Sequence, residues 1–255
     1  TCPSGSPIAD GSSPVTVHAF VGAGKFVTPS SFNETVEYFV VGGGGGGGAG
    51  GSAEGSGGGG AGGVLTGTMA IGGGLTIPVT VGSGGAGGLR TPTDGAATSG
   101  GDSTFGPTIT AYGGGKGSDG ANLGLPEPGD AAIGGSGGGG GYLDNSGADG
   151  LNPTTPTGNV APFTNYTPGT TQGYAGGDYT GAPNYSGGGG GGAGGAGVTG
   201  AKAHGGIGVQ MPETFQNPNA MSYAKGYPGP GSPGLFWVGG GGGGGTYNSP
   251  VTGGG

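Results

Sequence analysis

The chain has 255 residues, of which 82 are glycine, and its 5 Lys and Arg against 13 Asp and Glu give a formal net charge of -8. With charged residues at 7% and hydrophobic residues at 30%, it has neither the basic stripe that nucleic acid requires nor the side chains for a conventional apolar core. No stretch approaches the ~20 apolar residues that span a bilayer, and collagen is excluded because glycine does not recur at every third place.

In chain order, Cys2 comes first; as the only cysteine it has no partner for an internal disulfide. Val15, Val17 and Ala19 alternate with Thr16, His18 and Phe20, Phe26 and Val27 precede a polar stretch, and Val36, Tyr38 and Val40 alternate up to Gly42. This pattern predicts a small antiparallel β-sheet in an N-terminal segment, 1–41, that leads into a glycine-rich domain, 42–255. Within that domain glycine arrives in blocks at 42–48, 57–60, 137–141, 187–192 and 239–245.

A glycine block has only amides, carbonyls and the absence of a Cβ with which to hold itself in place. The expected solution is a bundle of polyglycine II helices, with three residues per turn, about 3.1 Å rise per residue and no internal hydrogen bonds. Runs on the order of 7 to 11 residues span roughly 22 to 34 Å in that geometry. Runs of matched length stack side by side and push the intervening segments to the two ends. A β-hairpin is expected over 64–81 around Gly72 to Gly74, and loops over 89–112, 142–186 and 211–233, where Pro, Asn, Asp, Thr and Tyr collect. Leu235-Phe236-Trp237-Val238 leads into Gly239 much as Tyr38-Phe39-Val40-Val41 leads into Gly42. No stretch carries a 3.6-residue period. The predicted fold class is therefore all-β or irregular, with almost no α-helix.

Catalytic chemistry finds no constellation. His18 and His204 are far apart, without Cys or carboxylate partners at ligand spacing. Gly134-Gly135-Ser136-Gly137-Gly138 spells a nucleophile elbow, but lacks the strand-to-helix context that gives the motif meaning. Neither Lys25 nor Lys116 is followed by the Ser or Thr of a phosphate loop. Asp144, Asn145 and Asp149 are oxygen ligands within one loop, at a spacing that matches no known cation loop. Asn33-Glu34-Thr35, Asn165-Tyr166-Thr167 and Asn184-Tyr185-Ser186 fit the glycosylation acceptor pattern. No catalytic residue, metal or cofactor is expected.

The aromatic residues are the better signal. Tyr142, Phe163, Tyr166, Tyr174, Tyr179 and Tyr185 fall in one loop-like stretch, and Tyr223 and Tyr227 in another. Tyrosine offers a flat apolar face and a hydroxyl at low entropic cost, which suits recognition of sugars or protein loops.

The sequence Val36-Glu37-Tyr38-Phe39-Val40-Val41 running into Gly42 to Gly48, then Gly62-Gly63-Val64-Leu65-Thr66-Gly67 and Val79-Thr80-Val81-Gly82, resembles the glycine-rich domain of tail fibres and related appendages of tailed bacteriophages. The resemblance is clearest over residues 15–118 and continues more loosely beyond. The architecture is similar to that of long-tail-fibre adhesins, in which polyglycine II helices carry receptor-binding loops. It implies a non-enzymatic virion appendage protein, a tail-fibre or tail-tip adhesin for a host glycan or outer-membrane protein, with other virion proteins as partners and a homotrimer as a common state. A purely structural fibre segment or capsid decoration protein is the alternative. An extracellular ice-binding glycine-rich protein, which needs a flat face of small residues, is a lesser one.

Overall fold

The computed structural model describes residues 7–8, 15–50, 55–89, 96–120, 130–142, 147–148, 172–181, 185–200, 203–215, 227–228 and 236–245. The strands are β1 (Pro7–Ile8), β2 (Val15–Thr16), β3 (Gly24–Val27), β4 (Asn33–Val41), β5 (Val64–Gly72), β6 (Thr76–Thr80), β7 (Ser103–Phe105), β8 (Ile109–Ala111), β9 (Val209–Gln210), β10 (Tyr227–Pro228) and β11 (Phe236–Val238). Every ladder is antiparallel. Among the described residues there is no α-helix, only a 3-10 turn at Glu213–Phe215.

The strands stand near their expected positions but pair differently. Residues 24–41 do not form a sheet of their own, because β3 pairs with β6 and β4 with β5. The expected 64–81 hairpin is likewise replaced: β5 and β6 flank the Gly73–Gly74 turn without bonding to each other. Thr28 explains the exchange, for its Oγ1 donates to the Gly72 carbonyl at 2.9 Å and accepts from Leu75 N–H at 3.0 Å. Gly74, at φ 71, turns its N–H towards Thr28 and Pro29. The two turns thus interlock, and 24–41 runs against 64–80 as one bent ribbon. The 89–112 stretch, expected as a loop, contains β7, β8 and a glycine run.

The larger buried aliphatic side chains lie mainly in these ladders. Val64, Ile71, Val79 and Ile109 are buried. Phe26 meets Phe105 at 5.9 Å and His18 at 5.4 Å, and Phe39 meets Phe215 at 5.8 Å.

Each main ladder then passes into glycine without changing register. Val41 lies opposite Val64, and the next bonds run from Gly42, Gly45 and Gly48 N–H to the carbonyls of Gly63, Gly60 and Gly57 at 2.8–2.9 Å. In the same way β6–β7 continues as Gly101 to Ser83 and Thr98 to Ala86, β7–β8 as Gly100 to Gly114, and β11–β9 as Gly241 to Gly206 and Gly244 to Ala203. Beyond the strands, successive bonds to one neighbour fall three residues apart. Residues between them bond to other runs: Gly43 and Gly46 donate to Gly101 and Thr98, while Gly44 and Gly47 accept from Gly85 and Gly88.

The 55–63 run lies at the centre and is buried throughout. Gly57, Gly60 and Gly63 donate to Ser118, Gly115 and Tyr112, and Gly58 and Ala61 to Gly188 and Gly191. Its carbonyls accept from runs 42–50, 132–141 and 239–245. These glycines are not required by backbone conformation, since only Gly74, Gly106, Gly200 and Gly239 among the described glycines have positive φ. They are required by proximity: a Cβ on Gly57 would overlap the Gly139 carbonyl, and one on Gly45 the Gly115 carbonyl.

Where a run ends early, a side-chain oxygen takes the place of the missing carbonyl. Gly43 and Gly46 bond to the 97–101 run; the next amide in that series, Ala49, donates instead to Asp119 Oδ1 at 2.6 Å. Asp102 accepts from Gly113 and Thr98 Oγ1 from Ala86, each at 2.8 Å.

Candidate functional site

Because the runs are matched in register, they define two ends. Residues 41 and 64, 82 and 103, and 208 and 239 lie where the runs meet the ladders. Gly50, Gly55, Gly88, Gly120, Gly141, Asp178, Ser186 and Gly245 mark the opposite end, where no multi-residue strand is found among the described residues.

Tyr142 stands at that strand-free end, 41% exposed, with its N–H bonded to the Gly55 carbonyl at 3.2 Å. Its ring meets that of Tyr179 edge to face, with centroids 5.7 Å apart and planes at 85°. Edge-to-face contact satisfies both ring quadrupoles and fixes the orientation of the outer ring. Beyond Tyr179, Thr180 and Ser186 exchange backbone hydrogen bonds at 2.8 and 2.9 Å. Ser186 Oγ ties this small turn to the Gly200 carbonyl at 2.9 Å. Tyr185 sits within it at φ 42, the only described non-glycine residue with positive φ. Such a conformation is costly for a bulky residue and persists only where the surroundings hold it. Asp178 Oδ1 accepts from Gly147 N–H at 2.9 Å, and Asp178 N–H donates to Thr199 Oγ1 at 2.8 Å, bracing the base of the same turn.

The family model for a glycine-rich domain matches residues 20–255. The chain belongs to this glycine-rich domain family. Nothing among curated proteins or solved structures matches it.

Of the aromatic candidates, the glycine-rich domain brings together Tyr142, Tyr179 and Tyr185. It separates Tyr174, which lies towards the ladders, donating to Gly192 and accepting from Gly137. Tyr227 is in β10 opposite Trp237, also at the ladder end. Phe163, Tyr166 and Tyr223 lie outside the described residues, as do Asp144, Asn145 and Asp149. Among the described residues no group of three or more His, Cys, Asp or Glu converges as a metal site, and no helix is long and apolar enough to cross a membrane. His18 packs on Phe26, and His204 lends its carbonyl to Val198 N–H at 2.9 Å.

Two residues that complete hydrogen bonding between the runs are not singled out by the sequence. Asp119 is 1% exposed and completes the hydrogen bonding of Ala49. Gln172 accepts from Tyr112 N–H at 2.8 Å and donates to the Thr110 carbonyl at 3.0 Å. The signal available for Asp119 is a carboxylate set inside a glycine-rich run, flanked by Ser118 and Gly120.

Proposed function

We propose that this glycine-rich domain is a non-enzymatic recognition module of a bacteriophage virion appendage, a tail-fibre or tail-tip adhesin. On this reading its glycine runs are polyglycine II helices bundled into a rigid support. The three-residue spacing of bonds to each neighbour supports the helical part, because a helix with three residues per turn aims its amides in three directions.

The observation that carries the functional part is the polarity of the bundle. The main ladders gather at one end, and at the other the exposed Tyr142 ring is held edge to face by the half-buried Tyr179, beside a strained tyrosine turn. A rigid platform that presents pre-oriented aromatic rings binds with little ordering cost. The ligand is a host-surface glycan or an outer-membrane protein loop, the ladder end joins other virion proteins, and the module acts outside the cell.

The test is competition: purified protein added to susceptible cells should block adsorption of the parent phage. Tyr142→Ala should weaken that competition about five- to tenfold, while Tyr174→Phe, remote from the strand-free end, should leave it unchanged. Equal competition by wild type and Tyr142→Ala, or particle imaging that places the domain in a shaft or on the capsid, would overturn the reading.

A further inference from the structure

The central 55–63 run leaves one of its three amide columns unpaired. Residues 57, 60 and 63 donate to one neighbouring run and residues 58 and 61 to another, but the N–H groups of Ser56, Gly59 and Gly62 have no acceptor among the described residues. These residues are buried, and an unpaired amide at depth is costly. The column opens between runs 42–50 and 239–245. On the first of these, the carbonyls of Gly42, Gly45 and Gly48 likewise accept no bond among the described residues. Unpaired donors and unpaired acceptors therefore line a single trough, both repeating every third residue.

Two further observations point to an occupant. Ser56, 9% exposed, has no hydrogen-bond partner for its hydroxyl among the described residues. That Oγ lies 3.8 Å from the position of a Cβ on Gly50 and 2.8 Å from one on Gly245, so it is aimed into the same trough. Gly44 and Gly47 form the rim. A Cβ on either would find its nearest atom at 3.7–3.8 Å, whereas a Cβ on Gly43, Gly45, Gly46 or Gly48 would overlap a carbonyl. Neither rim residue has positive φ. Their lack of a side chain is explained neither by packing among the described residues nor by backbone strain; it keeps the trough open.

We propose that this trough receives an extended glycine run from a different polypeptide, which completes the lattice around the central run. The occupant's carbonyls accept from Ser56, Gly59 and Gly62, and its amides donate to Gly42, Gly45 and Gly48. Only a backbone with three residues per turn matches both columns at once, and only glycine approaches so closely. The run belongs to another protein rather than to a second copy, whose peripheral 82–88 run also keeps the Gly84 and Gly87 amides without acceptors among the described residues; the dimerisation arm of the test below separates the two. The inference rests on the helical reading of the runs and is independent of the adhesin role.

The test uses the full chain and a capped peptide of about seven glycines with a lysine at each end. Peptide should slow hydrogen exchange of the Gly59 amide at least about tenfold, with little change at Gly57 or Gly60. Gly44→Val and Gly47→Val, which place a side chain in the trough without internal overlap, should abolish this protection; Gly84→Val, on a neighbouring open face, should retain it. No peptide-dependent change at Gly59, or an equal change in the Val variants, would overturn the proposal. So would a Gly59 amide already protected in the protein alone, meaning that the chain fills its own trough, or dimerisation that Gly44→Val abolishes. Rapid exchange at Gly57 and Gly60 as well would instead mark failure of the helical reading itself.

Discussion

In the β4–β5 ladder, Val64 and Ile71 are buried by side-chain packing, and residues between them are more exposed. The 55–63 run leads into β5 in the same register, yet all of it is buried and none of its side chains is larger than serine. Both regions pair main chain with main chain. The ladder reserves its two faces for side chains, whereas the run surrounds itself with other backbones and has no face to spare. The run should therefore be most sensitive to added volume, and the ladder to volume removed.

The largest effect should come from adding a single methyl group. Gly57→Ala sets a Cβ against the Gly139 carbonyl, and backbone cannot rotate away as a side chain does. We expect a loss of at least about 4 kcal/mol, most of the stability of a chain at the low end of the ordinary range, read as a large fall in the urea midpoint or loss of the transition. In the ladder, removing three carbons should cost less: Ile71→Ala is expected to lower stability by about 2 to 3 kcal/mol, the lower part of the range for such truncations, in the same titration while the protein still folds. If Gly57→Ala proved milder than Ile71→Ala, the contrast between the regions would be lost.

Asp119→Ala probes the junction between side-chain and backbone pairing. It strips Ala49 N–H of its acceptor and should cost about 1 to 3 kcal/mol, with faster amide exchange at Ala49 and little change at Gly46. Gly44→Ala should have the smallest effect. Its Cβ has room and the substitution reduces unfolded-chain entropy, so stability should stay within about 0.5 kcal/mol of wild type or rise slightly. A large loss at Gly44 would mean that glycine is needed everywhere for its conformation rather than at particular sites for its size.

Much of this plan is legible in the sequence, but unevenly. Alternation at Val36, Tyr38 and Val40 marks β4, and the absence of a 3.6-residue period foretells the lack of α-helix among the described residues. Pairing partners are not legible, because Thr28 and Gly74 impose the interlocked turns through contacts between residues 44 to 47 positions apart. Short elements such as β7 and β8 are hidden in polar, turn-rich text. The strand-free end is partly legible: Tyr142, Tyr179 and Tyr185 stand out as aromatics among turn formers. Tyr174 looks identical in sequence but lies towards the ladders, because only the register of runs decides which end a residue occupies. The trough is not legible at all, since the rim glycines Gly44 and Gly47 look no different in sequence from the sterically required Gly45 and Gly46.

The central claim is that backbone pairing at three-residue intervals does here what apolar side chains do in other folds. Scalar couplings across hydrogen bonds, measured by NMR on labelled protein, test it most directly. The account predicts couplings from the amide nitrogens of Gly42, Gly45 and Gly48 to the carbonyl carbons of Gly63, Gly60 and Gly57, and none from Gly44 or Gly47. Couplings at two-residue intervals along 42–48, or their absence together with solvent-rate exchange of these amides, would contradict it.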